Sequence, residues 1–184
     1  NYTDGEWVKD SNWFVVAWEY QVAQVIEGSP LMFRNKGVVV IGTSISTYSA
    51  TNTGDFSNYS PYYYPFDFPI DSMYWHKMIY ANGGRLNQNA SIQDSTIVGA
   101  SSSMISLNGR TKYTVGADTV ILELGVKDSE SALRFIYNYD KELSLYNENI
   151  IEEALIKGIR TILNNGCKVV YIIPDGTSPV IADA

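Results

Sequence analysis

Val38-Val39-Val40-Ile41-Gly42-Thr43-Ser44-Ile45-Ser46-Thr47-Tyr48 is the stretch that decides the fold. Its β-branched apolar run leaves no polar face, which is the pattern of a strand buried on both sides of a parallel sheet. Gly42 then lets the backbone turn sharply at the strand's C-terminal end, where open α/β sheets present their chemistry. Ser44 stands at that turn, in a nucleophile's position. Taken alone, the same residues also describe an ordinary strand-to-loop turn.

Working outward, helical and strand patterns alternate. Trp75, Met78 and Ile79 fall on one helix, with Asp71 or Ser72 as its expected cap and Gly83-Gly84 as its stop. Ile150, Ile151, Ala154, Leu155, Ile159, Ile162 and Leu163 recur at helical spacing until Asn164-Asn165-Gly166 ends them. Lys168-Val169-Val170-Tyr171-Ile172-Ile173-Pro174 reads as a further parallel strand. The expectation is a three-layer α/β/α domain over residues 37–184 with a mostly parallel, flavodoxin-like sheet. Residues 1–36 differ: Trp7, Trp13 and Trp18 fall within a short stretch that holds the alternating β-type run Trp13-Phe14-Val15-Val16-Ala17-Trp18, and Gly28-Ser29-Pro30 then punctuates the chain before the domain. They read as a short β-rich segment of hairpin or edge-strand material. Its tryptophans either cover a small core or form a platform for sugars or a neighbouring subunit.

Composition sets the bounds. With 184 residues, 45% of them hydrophobic, the chain can hold one substantial core and a short appended segment. A net charge of −7 disfavours a nucleic-acid or anionic-membrane partner. No apolar run approaches the roughly 18 residues of a membrane span. Asn1-Tyr2-Thr3-Asp4 has no signal-peptide pattern. Cys167 is single and enters an apolar strand, as a buried structural thiol does. No Cys/His metal spacing occurs, and no cofactor is expected.

Four segments, in order and spacing, resemble the SGNH (GDSL-type) esterases and acetylhydrolases, especially the branch of gut bacteria and phage tail proteins. They are the Gly42–Tyr48 block, Tyr62-Tyr63-Tyr64-Pro65, Trp75-His76-Lys77-Met78 and Asn89-Ala90-Ser91-Ile92-Gln93-Asp94-Ser95. Ala117–Asp128 resembles the family's strand ending in Gly-x-Asn-Asp. The resemblance spans roughly residues 37–174 and implies a serine hydrolase ancestry. It also shows departures. The first block's Gly-Asp-Ser has Thr43 in the middle but keeps Ser44 as the nucleophile position. Asp94 stands where the second block has a Gly, and Lys127 where the third has an Asn; both family residues are oxyanion donors. The family's Asp-x-x-His has no counterpart: His76 is the one histidine, and Asp183 lies too close to the last residue, so the domain is either trimmed or a fragment.

Those departures bear on chemistry. A serine hydroxyl needs an adjacent base, and each lost oxyanion donor costs about 100- to 1,000-fold in rate. An Asp places negative charge where negative charge must develop. The reading is a degenerate hydrolase module used in binding or assembly, with glycan or neighbouring subunits as partners. An extracellular or virion-associated setting is implied by the resemblance. The alternative is an active esterase removing acyl groups from carbohydrate, with Ser44 attacking and Lys127 or a group outside the chain as base. Asp94 and Lys127 are expected to meet as an ion pair beside Ser44. The long polar loop from about Tyr48 to Pro69 overhangs this site. Thr43, Tyr48, Tyr62, Tyr63 and Tyr64 are its candidate binding residues.

Overall fold

A computed structural model describes residues 2–3, 6–7, 13–17, 32–46, 71, 73–133, 140–174 and 177–178. Its strands are β1 (Tyr2–Thr3), β2 (Glu6–Trp7), β3 (Trp13–Ala17), β4 (Gly37–Gly42), β5 (Arg85–Asn89), β6 (Thr119–Glu123) and β7 (Lys168–Ile173). The first two form a small antiparallel pair. The others make one sheet in the order β3-β7-β6-β4-β5. Every pairing in it is parallel.

The β-rich N-terminal segment contributes the sheet's edge, with Trp13 opposite Val169 and Ala17 opposite Ile173. From β4 the chain moves to one side for β5 and then returns to the other side for β6. The C-terminal ends of β4 and β6 therefore flank the point where connection direction reverses, the usual crevice of an open α/β sheet.

Alternation along β4 explains the layers. Val38 and Val40 face α1 (Tyr74–Ala81), joining Phe33, Trp75, Ile79, Ile121, Val170 and Ile172 in one core. Val39 and Ile41 face the opposite way, toward α2 (Leu107–Arg110) and α3 (Ile151–Asn164), with Leu107, Val120, Leu122, Ala154 and Ile162. Each fully buried Val or Ile contributes roughly 1.5–3 kcal/mol, which explains why the strand carries no polar face. With helices on both faces, the sheet is the middle of three α/β/α layers. Cys167 is buried under it, its thiol directed at the Thr114 and Ala117 carbonyls and pushed up from the usual range by burial.

Local details differ from expectation at two places. The cap of α1 is Met73, in extended backbone and with no side-chain bond, rather than Asp71 or Ser72. The helix gains its stability from Trp75 and Ile79, both fully buried, so a polar cap is not required. The second difference is α2, a short helix the sequence does not announce. Ser106 caps it by accepting the Gly109 N–H at 3.2 Å, and it runs on into the tight turn Thr111–Thr114. At the end of α3, Gly166 takes φ +83°, a left-handed turn that glycine adopts without strain. Among the described residues, no helix is long and apolar enough to cross a membrane.

Candidate functional site

The site lies at the C-terminal ends of β4 and β6. Directly after β4, Ser44–Ser46 closes into one tight helical turn, with Ser46 N–H donating to the Thr43 carbonyl at 3.1 Å. Ser44 and Ile45 are exposed, while Thr43 and Ser46 on either side are buried. The nucleophile position is thus presented outward from a turn whose flanks point inward.

Those flanks converge on Glu123, the last residue of β6, which is 2% exposed. Its carboxylate accepts the Thr43 N–H at 2.9 Å, the Thr43 hydroxyl at 2.9 and 3.0 Å and the Ser46 hydroxyl at 2.8 Å. Ser46 Oγ also lies 2.6 Å from the Tyr74 hydroxyl. With Glu123 ionised, Ser46 gives its proton to the carboxylate and Tyr74 donates to Ser46. Burial pushes the Glu123 carboxyl above the usual range, against the hydrogen bonds from Ser46 and Thr43 and the nearby charge of Arg110. The Tyr74 hydroxyl is raised as well, first by burial and then by the Glu123 charge.

Main-chain oxygens of the turn are held in the same way. The Ser46 carbonyl accepts Trp75 Nε1 at 3.1 Å and Asn89 Nδ2 at 2.8 Å. The Gly42 carbonyl accepts the Ile92 N–H at 3.0 Å, the Ser95 hydroxyl at 2.8 Å and Arg110 Nη1 at 3.0 Å. Arg110 is wholly buried, and it also reaches the Ala90 carbonyl at 3.1 Å. It therefore ties the ends of the first and second sequence blocks together from beneath. Gly42 faces Glu123 in register across the two strands. A Cβ at residue 42 would overlap the Ser46 hydroxyl and stand 2.7 Å from Glu123 Oε2, so only glycine fits.

Asp94 and Lys127 meet at the outer rim, with Lys127 Nζ 3.0 Å from Asp94 Oδ1. Asp94 has φ +57°, the left-handed backbone that glycine favours, at the position where the resembled family carries glycine. The two side chains are 45% and 64% exposed, so the pair is a solvated tie and not a plug closed off from water. Below it, the Asp128 carboxylate accepts the N–H groups of Ile97 at 3.0 and 2.9 Å and of Val98 at 3.1 Å. Asp128 thereby fixes the segment just after Asp94 to the end of β6. Its carboxyl is raised by burial, with those N–H groups acting in opposition.

The remaining expected residues divide. Thr43 is 1% exposed, and its hydroxyl donates to Glu123, so its side chain faces inward as an anchor of the turn. Tyr48, Tyr62, Tyr63 and Tyr64 lie outside the described residues. His76 sits half-buried on α1 with its ring 4.3 Å from that of Tyr80, one turn along the same helix. Among the described residues, no group of three or more His, Cys, Asp or Glu side chains gathers as a metal site would. Sequence reasoning misses Glu123 and Arg110. The signal for Glu123 is a lone acid inside the apolar run Val120-Ile121-Leu122-Glu123-Leu124.

A solved Bacteroides uniformis structure, assigned as a GDSL-like lipase, superposes on this chain with a TM-score of 0.61 at 19% sequence identity. The match covers 81% of this chain and 76% of that one. The fold is GDSL-like. No family model matches the sequence, and no curated protein does either. At this identity the GDSL-like likeness is one of architecture, and chemistry has to be argued from the residues at the sheet's end.

Proposed function

We propose that this chain is a catalytically silent GDSL-like module that acts by binding, with glycans or neighbouring subunits as its partners. The observation that carries this reading is the Asp94–Lys127 pair at 3.0 Å, formed by the two residues that the sequence resemblance aligns with oxyanion donors. The Asp94 carboxylate brings negative charge to the rim where a tetrahedral oxyanion would form. The same carboxylate holds the Lys127 ammonium, a group that could otherwise stand in for a lost donor. Losing one such donor lowers turnover about 100- to 1,000-fold, and here two positions are altered. The sequence's single histidine lies on α1 against Tyr80. On this reading residues 37–184 form the module and residues 1–36 a β-rich segment attached to it. The sequence's run of tyrosines at 59 and 62–64 has side chains with large contact area and polar tips, suited to carbohydrate or to a partner chain. An extracellular or virion-associated setting accords with the sequence resemblance.

A second reading is supported by one specific feature, the exposed Ser44 on a turn fixed from several sides. In that case the chain is an esterase deacylating carbohydrate esters, and Lys127 leaves Asp94 to act as base. Hydrolysis of p-nitrophenyl acetate and of acetylated sugars, compared with Ser44→Ala, decides between them. Equal background rates are the expected result. A rate that disappears in Ser44→Ala would overturn silence.

A further inference from the structure

The buried acid of this site is none of the signature positions of the resembled family. Glu123 sits at the end of β6, opposite Gly42 in the β4–β6 register, and reaches across to the turn that succeeds β4. Its bonds bracket Ser44: Thr43 N and Oγ1 on one side, Ser46 Oγ on the other, all within 2.8–3.0 Å. The turn's own residues, Thr43 to Ser46, carry no charged side chain, and Ser44 itself faces out. The first block of the resembled family has a carboxylate at the middle position, and this chain has Thr43 there. A threonine hydroxyl is a donor, and a carboxylate is an acceptor, so the two positions have complementary roles here.

We propose that Glu123 is the positioning residue of the Ser44 turn, a carboxylate carried on β6 in exchange for one at residue 43. The grounds are space and charge. Gly42 lacks the Cβ that would strike Glu123 Oε2, so the cross-strand room for the acid is built into the strand end. Arg110, whose buried guanidinium donates to the Gly42 carbonyl at the same strand end, brings an opposite charge near the carboxylate and adds the smallest of the influences that oppose its burial. A second carboxylate in that space would find no further cation among these contacts. Thr43 and Glu123 therefore depend on each other. Ser44 is aimed outward because its neighbours are pulled inward by one shared acceptor. This role concerns how the turn is held, and it stands or falls independently of whether Ser44 turns over a substrate.

The test is an exchange cycle on the full chain, read by thermal unfolding and by amide hydrogen exchange. Thr43→Asp places two acids together, and Glu123→Thr leaves three donors, the Thr43 N–H and the Thr43 and Ser46 hydroxyls, without their acceptor. Each is expected to lower Tm by about 10 °C. Thr43→Asp/Glu123→Thr is expected to recover more than half of the larger loss. If the double variant loses the sum of the two or more, the exchange is refuted. Should either single variant fail to fold, Thr43→Val and Glu123→Gln form a gentler cycle. Coupling is expected there, with the double no worse than the worse single, and strict additivity refutes it. Hydrogen exchange separates positioning from general core packing. In Glu123→Gln, the Thr43 and Ser46 amides should exchange about tenfold faster than the change at α3 amides accounts for. Equal loosening throughout the chain would make Glu123 an ordinary buried polar residue and overturn the proposal.

Discussion

Replacing Arg110 with Met should cost this chain a large part of its stability, and the structure lets the amount be worked out. The guanidinium is fully buried and donates to four carbonyls: Gly42 at 3.0 Å, Ala90 at 3.1 Å, Ser106 at 3.2 Å and Ile105 at 3.4 Å. Not all of them are orphaned by the change. Gly42 keeps the Ile92 N–H and the Ser95 hydroxyl, and Ile105 keeps the Thr96 N–H at 2.9 Å. The direct loss falls on Ala90 and Ser106, and each unsatisfied buried carbonyl costs about 1–3 kcal/mol. To this is added the loss of the positive charge that offsets Glu123's burial. Removing one side of a buried charge arrangement costs roughly 3–5 kcal/mol in all. Against a total of roughly 5–15 kcal/mol, that is about a fifth or more of the stability. For a chain of this size each kcal/mol is worth about 2–4 °C, so Tm should fall by about 6–20 °C. Circular dichroism melting and urea titration measure it. Arg110→Lys keeps the charge but not the fork of donors, and should recover part of the loss. A fall of less than about 3 °C in Arg110→Met would mean water satisfies these carbonyls and Arg110 ties nothing together.

Gly42→Ala should lower Tm by about 3–10 °C, because its Cβ meets the Ser46 hydroxyl and Glu123 and overpacking costs roughly 1–3 kcal/mol; an unchanged melt would show that the strand end can give way. Asp94→Gly and Asp94→Ala remove the same exposed ion pair, worth about 0–1 kcal/mol, so their difference reports backbone conformation. The Gly variant should melt higher by about 2–4 °C, and equal melts would argue against a left-handed residue 94. The pH profile has two opposed limbs. Glu153 is held below its ordinary 4.5, chiefly by Lys141, so its contribution is present above that value and is lost as pH falls through its lowered folded value. Glu123 is held above 4.5, so its contribution is fully present below that value and is lost as pH rises through the raised folded value. Urea unfolding against pH should therefore show Glu123→Gln flattening the decline that begins above 4.5 while leaving the Glu153 limb below it in place; a decline that is the same in both would show that Glu123 does not titrate there.

How much of this is legible in the sequence depends on how local the signal is. The β4 run and α3 can be read directly, because a strand buried on both faces and an amphipathic helix each write their period into consecutive residues. Asp94 and Lys127 can be paired because each comes after a recognisable strand end, and neighbouring parallel strands bring such ends together. The cap of α1 cannot, since a polar residue before a helix is only one way to start it, and buried Trp75 and Ile79 serve instead. The short α2 has no room for a period to show. The inward turn of Thr43 cannot be read either, because order along the chain tells that a residue comes after a strand but not which way its side chain points.

By itself, then, the sequence determined the alternating α/β architecture, the place of a serine just after β4 and the departures at residues 43, 94 and 127. Tertiary structure decided the rest: that Trp13–Ala17 pairs alongside β7 at the sheet edge, that Arg110 ties Gly42 to Ala90 and that Glu123 grips both flanks of Ser44. The physical reason is range. Periodicity and turn chemistry act over a few residues, whereas Thr43 and Glu123 stand 80 apart in the chain and become partners only when two parallel strands align their ends.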